Sequence, residues 1–233
     1  MRPPALWRHE ARRAGWTALL APPSVLVLGT IAATIQFGAA ENDISIARTL
    51  LGTLEMLLPL AAGVGAASLI GHDPVAELAA SCRTGYPATL LRRLTVSLAW
   101  ITVLAVLASA ALAATGWWER WPAAHAPLPG QLTWLSPVLF LAALGFLAGA
   151  LLRNPGAAAG IVAVVWLTQQ VLNSLMLSSP ATRMLNLFAT TRGGAPEDWT
   201  ANRLVLLGAA VGLFLLAWVV LTTSEAIFSG EGS

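Results

Sequence analysis

Six stretches of predominantly apolar residues, 16–37, 49–70, 94–115, 133–152, 157–177 and 204–222, recur along this chain and are separated by short polar connections. A helix needs about 20 such residues to cross a hydrocarbon layer about 30 Å thick. In that layer every backbone N–H and C=O has to find its partner inside the protein, a condition a helix meets by itself. The pattern predicts an all-α, polytopic membrane protein with six transmembrane helices in one domain, residues 1–233. At 57% apolar and 10% charged, the chain is far from the roughly 25% charged residues of a soluble domain.

Six spans put both termini on one side. Alternation then groups Arg2, Arg8, Arg12, Arg13, Arg83, Arg92, Arg93 and Arg153 on the side of the termini, with Arg48, Arg120, Arg183, Arg192 and Arg203 on the other. By the positive-inside rule the first group is cytoplasmic, so the expected location is a bacterial cytoplasmic membrane, crossed several times, with both termini inside. Residues 1–15, with Trp7 beside Arg8, Arg12 and Arg13, read as an amphipathic helix on the inner lipid surface. A cleaved signal peptide fits less well, because the apolar run that follows is longer than the usual h-region.

Pro22 and Pro23 remove backbone donors from the first span and are expected to bend it. Trp117, Trp118, Trp121, Trp134 and Trp199 fall at outer ends of spans or in outer loops and read as an aromatic belt. Gly145 and Gly149, Gly156 and Gly160, and Gly208 and Gly212 form small-xxx-small pairs that let helices approach closely.

Several chemistries are excluded. No basic run with interleaved aromatics is present to grip nucleic acid. The single Cys82 makes neither an internal disulfide nor a metal cluster. His9, His72 and His125 all lie in polar segments, and neither GxSxG nor HExxH occurs, so an intramembrane hydrolase has no visible machinery. No metal and no cofactor is expected on this chain.

The polar segment 71–93, GHDPVAELAASCRTGYPATLLRR, is too polar to span and too short to fold alone. Asp73 followed by Pro74 is a good helix start, since the carboxylate accepts from free N–H groups and proline there loses no needed donor. A short helix over 74–82 is expected, with Glu77 near its positive end and Val75, Leu78 and Ala79 on one face. Thr84 to Pro87 then read as a turn. A loop lying on the membrane is the simpler reading, yet Arg153, Asn154 and Pro155 suffice to join spans four and five. The longer connection has the character of a docking element.

Within the spans, Glu55 is the only carboxylate, about two turns from the outer end of span two. A charge at such a position is expensive and has to face protein or water, or be protonated. It belongs to a substrate path or pairs with a backbone group or a glutamine. Span five carries Gln169 and Asn173 on one face and Gln170 and Ser174 on the next, as path residues or as interhelical hydrogen-bonding glue. Leu185, Leu187 and Phe188 suggest that the second outer loop dips toward the outer interface.

The basic amphipathic start, the six spans, Leu58-Pro59, then Glu77-Leu78-Ala79-Ala80-Ser81 and Tyr86-Pro87-Ala88-Thr89-Leu90-Leu91-Arg92-Arg93 together resemble the membrane (permease) subunit of type 2 ABC exporters, which have the type V exporter fold. The resemblance implies that 71–93 carries a cytoplasmic coupling helix between helices 2 and 3, on which Asp73, Pro74, Val75, Glu77, Leu78, Ser81 and Tyr86 meet an ABC ATPase subunit. The chain departs from the family in Gly71-His72-Asp73-Pro74 before the glutamate and in Cys82-Arg83 after the serine. It has no GxxxxGK[ST] phosphate loop, so ATP and magnesium would sit on the partner ATPase. Six spans are half of such an exporter, which implies a second permease copy or a homologous permease, all embedded in membrane lipid. Cargo of amphipathic or hydrophobic character, a drug, peptide or lipid, suits the apolar lining. A stand-alone secondary transporter using Glu55 as proton carrier, and a membrane anchor for a signalling or immunity partner, are the competing readings.

Overall fold

The computed structural model describes residues 15–70, 86–122, 124–193 and 196–230, and every regular element among them is helical. The long helices are α1 (Gly15–Gly38), α2 (Asp43–Ser68), α3 (Tyr86–Ala114), α4 (Leu132–Leu152), α5 (Pro155–Val171) and α6 (Trp199–Gly230). Five stretches, in α1, α2, α3, α4 with the turn before it, and α6, are long and apolar enough to cross a membrane. The chain is a multi-pass helical membrane protein on that ground.

The fifth expected span is shorter than its apolar run. Helix α5 stops at Val171, because Leu172 leaves the helical region at φ −96° and ψ 24°, and a separate turn, Asn173–Ser178, follows. Seventeen residues rise about 25 Å, the lower limit for a crossing. The interruption falls where Gln169 and Asn173 turn their amides to the loop beyond. Helix α3 begins earlier than expected, at Tyr86, so Pro87 sits in its first turn rather than in a connecting turn. The interfacial helix expected before α1 and the coupling residues Asp73, Pro74, Val75, Glu77, Leu78 and Ser81 lie outside the described residues.

Helices α2 and α4 form the centre: 72% and 61% of their apolar windows are buried, against 22% for each of α1, α3 and α6. The cause is side-chain size. A Cβ on Gly145 would stand 2.1 Å from the Gly63 carbonyl oxygen, so the two backbones meet where only hydrogen fits. Leu51, Leu54, Leu58, Leu141 and Ala142 close the core around that contact. A Cβ on Gly160, Gly208 or Gly212 would meet nothing within 4 Å among the described residues, so these glycines face outward in the single chain.

Helix α1 keeps Pro22 and Pro23 inside one continuous helix. Pro23 has no N–H for the Leu19 carbonyl four residues back. The indole N–H of Trp100 on α3 donates to that carbonyl instead, at 3.0 Å. At the tight α4–α5 link, Arg153 takes a left-handed conformation, φ 50°, and the Asn154 side chain accepts from Ala157 N–H at the start of α5.

A candidate functional site beneath the loop cap

Proline 59 shapes the middle of α2. Just before it the helix widens into a π-turn, Thr53–Leu57, where the Leu58 N–H reaches back to the Thr53 carbonyl. Such turns are rare and recur at functional positions. Glu55 lies in this turn with none of its surface exposed.

Four groups donate to its carboxylate. Oε1 accepts the Thr190 N–H at 2.8 Å and an Nη2–H of Arg203, and Oε2 accepts the Thr191 N–H at 2.7 Å and the Thr191 hydroxyl at 2.5 Å. Arg203, on the first turns of α6, is equally buried. It also donates to the Leu187 carbonyl and the Thr190 hydroxyl, both at 3.0 Å, and its guanidinium stands 5.6 Å from the Trp199 ring centre. A buried carboxylate is tolerable only when a countercharge and hydrogen bonds replace its water, and here both are present.

Thr190 joins the pieces. Its hydroxyl accepts from Trp199 Nε1 at 2.9 Å and from Arg203, its carbonyl accepts from Trp121 Nε1 at 2.9 Å, and its N–H goes to Glu55. The connection between α5 and α6 thereby dips inward, with Asn186, Leu187, Phe188, Thr190 and Thr191 buried. Irregular backbone at that depth has to be satisfied by protein, and side chains from three helices do so. Asn202 donates to the carbonyls of Arg183, Met184 and Asn186, each at 3.0 Å. Gln169 donates to the Leu185 carbonyl at 3.1 Å and accepts from Leu187 N–H, while Asn173 donates to the Arg192 carbonyl at 3.2 Å and accepts from Asn186.

Of the path candidates, Glu55, Gln169 and Asn173 are thus brought together as anchors of one loop. Gln170 is apart, donating to the Met56 sulfur at 3.1 Å. The Trp166 indole beside it donates to the Met56 carbonyl at 2.8 Å. The expected partner of Glu55, a backbone group, is present twice over, but its counterion Arg203 was not anticipated from the sequence. The available signal was Trp199 and Arg203 one turn apart at the start of the last apolar run, with Thr190-Thr191 just upstream.

The tryptophans depart from a lipid-facing belt. Trp118, Trp134 and Trp199 are nearly fully buried. Trp118 donates to the His125 carbonyl and Trp134 to the Gln131 side chain, both at 2.8 Å. A buried indole N–H needs an acceptor: Trp118 and Trp121 find loop carbonyls and Trp134 and Trp199 find side-chain oxygens, and through Thr190 the indoles of Trp121 and Trp199 tie the two loops into a cap over the ion pair. The His125 ring stacks on Trp199 with centres 3.8 Å apart. Desolvation, and secondarily the Arg203 charge, hold its pKa below the usual histidine value. No group of three or more metal-ligating side chains occurs among the described residues.

Chemically, the arrangement is a clamp. Each carboxylate oxygen of Glu55 accepts two hydrogen bonds from donors of the chain itself, and the side chain has no exposed surface. Comparison with protein-family models, with curated proteins and with solved structures returns no match for this chain.

Proposed function

We propose that this chain is the membrane subunit of an ATP-driven exporter of the type 2 ABC class, moving an amphipathic or hydrophobic substrate with energy from a separate ATPase. The observation that carries the reading is the engagement of Glu55. The single carboxylate expected within the apolar runs is held in the cap by Arg203 and two threonines, an arrangement that favours a structural role for it over that of proton carrier in a stand-alone secondary transporter. In this reading the work done on substrate is delivered from outside the spans.

Two further features support it. The connection between α2 and α3 occupies residues 69–85, whereas Arg153 and Asn154 alone join α4 to α5. That long polar connection is the place where a soluble partner has room to dock. The outer faces of α1, α3 and α6 are apolar and little buried, so they have to meet lipid or a second permease. In this reading both termini are cytoplasmic, Glu77 and Leu78 contact the ATPase, and ATP-driven movement of the coupling segment tilts two permease halves around a shared path.

The test is co-purification and ATPase activity with the ATPase encoded nearest to this chain, wild type beside Glu77→Arg and Leu78→Asp. A complex whose substrate-stimulated hydrolysis is lost in either variant supports the reading. A chain that purifies alone and stimulates no ATPase refutes it.

A further inference from the structure

A groove of about 490 Å³ opens between α1, α2 and α3 on the cap-side half of the bundle. Its α1 wall runs from Leu26 to Phe37, its α2 wall from Ile46 to Leu54 and its α3 wall from Ala108 to Thr115, with Trp117 at the top. On the far side of the groove from the cap, Trp100 ties α3 to the Leu19 carbonyl of α1. Gly29 brings α1 onto α2: a Cβ there would stand 2.1 Å from the Thr53 hydroxyl oxygen.

We propose that this groove holds one acyl chain of a zwitterionic phospholipid from the adjacent leaflet, with the headgroup over the Arg120–Asp43 pair at its mouth. The dimensions fit. Leu26 to Phe37 spans about 16 Å at 1.5 Å per residue, about half of a 30 Å hydrocarbon layer and so the depth of one leaflet. The groove is lined mainly by apolar side chains and open along its length, so one extended alkyl chain can lie in it from headgroup level toward the bilayer midplane.

The walls fit as well. Four threonines line the groove, and each hydroxyl is already used: Thr30, Thr34, Thr53 and Thr115 donate to the carbonyls of Leu26, Thr30, Thr49 and Ala111 at 2.7–2.9 Å. Their protons are spent on their own helices, so the walls offer an occupant no free hydroxyl donor. A polar ligand would give up its water for little in return, and an alkyl chain gives up nothing. At the mouth the Arg120 guanidinium stacks 4.0 Å over Trp117 and pairs with Asp43 at 3.2 Å, the two side chains being 43% and 59% exposed. An exposed cation beside an exposed anion complements a headgroup carrying phosphate and ammonium, and repels an anionic headgroup from the Asp43 side. The inference does not rest on the exporter reading.

The test uses the full chain in liposomes of phosphatidylethanolamine and phosphatidylglycerol, with a trace of phosphatidylethanolamine bearing a diazirine in its acyl chain. After irradiation, adducts are mapped by peptide mass spectrometry. The expected adducts concentrate on Leu50, Ala108 and Leu112, which line the groove and are partly exposed. Filling the groove with Ala111→Trp lowers them on the order of tenfold, the worth of about two buried methylenes. The milder Ala111→Leu, which keeps the bundle intact if tryptophan does not, lowers them less, and Leu28→Trp on the opposite, exposed face of α1 leaves them unchanged. Adducts spread evenly over the exposed faces of α1, α3 and α6, or unmoved by both filling variants, overturn the proposal. So does equal labelling by the phosphatidylglycerol probe, or a disulfide joining two copies through Ala33→Cys and Ala111→Cys.

Discussion

Replacing Glu55 by glutamine changes little volume but removes the charge and turns one of the two acceptor oxygens into a donor. In wild type, Arg203 is fully buried against Glu55. In Glu55→Gln the guanidinium keeps its bonds to the Leu187 carbonyl and the Thr190 hydroxyl but loses its countercharge. Breaking a buried pair by removing one partner destabilises by about 3–5 kcal/mol. For a chain of this size that corresponds to about 6–20 °C in unfolding midpoint, at about 2–4 °C per kcal/mol. The double variant Glu55→Gln with Arg203→Gln leaves no orphan charge, and the glutamine carbonyl still accepts from one of the Thr190 and Thr191 N–H groups. It should therefore recover at least half of the loss, about 2 kcal/mol relative to Glu55→Gln alone, and fall well short of the sum of the two single variants. The assay is tryptophan fluorescence during thermal unfolding in nanodiscs, with Trp121 and Trp199 reporting on the cap because both bond to Thr190. A Glu55→Gln midpoint within about 2 °C of wild type, or strictly additive single and double variants, would refute the reasoning, since either means that the pair carries no net interaction.

Two further outcomes follow from the packing and the cap. Gly145→Ala places a methyl against the Gly63 carbonyl oxygen and should destabilise by about 1–3 kcal/mol through overpacking, whereas Gly160→Ala, with open space around it, should stay within about 0.5 kcal/mol; equal effects in nanodisc unfolding would contradict the α2–α4 contact. His125 has a pKa lowered in the folded protein by desolvation and then by Arg203, so the unfolded chain takes up its proton first as pH falls. The histidine's contribution is full above about pH 6.5 and declines below it; wild type should therefore lose more stability between pH 7.5 and 5 than His125→Gln, and identical pH profiles would exclude the effect.

Length and apolarity carried most of the helix assignment, because backbone satisfaction in lipid leaves a chain few alternatives. The runs at 16–37, 49–70, 94–115, 133–152 and 204–222 each lie within or close to an observed helix. What they could not convey is depth. Helix α2 begins at Asp43, with Asn42 capping it, six residues before its apolar run, so Glu55 is twelve residues from the helix start. Arg203 is only four residues into α6. By sequence position the two charges belong to different levels of the bundle. They meet because α2 projects beyond its apolar run and the 183–192 segment dips to cover the gap, and neither displacement has a local signature.

The tryptophans mark the same limit from the other direction. An indole at the end of an apolar run satisfies the description of an interfacial anchor and equally that of a buried donor in search of a carbonyl. Which one holds depends on whether an irregular loop folds back over it. In this chain the loops do fold back: Trp121 reaches from the α3–α4 loop to Thr190 in the α5–α6 connection, and His125 lies on Trp199. The residues that decide the matter, Thr190 and Thr191, are individually unremarkable polar residues in a polar stretch. Their importance comes from supplying two successive backbone N–H groups to one buried carboxylate. A backbone N–H is common to nearly every residue type, so the anchoring of Glu55 is largely written in main-chain geometry. Substitutions at Thr190 and Thr191 that preserve the backbone should therefore be tolerated far better than any change at Glu55 or Arg203, where the charge itself is the contact.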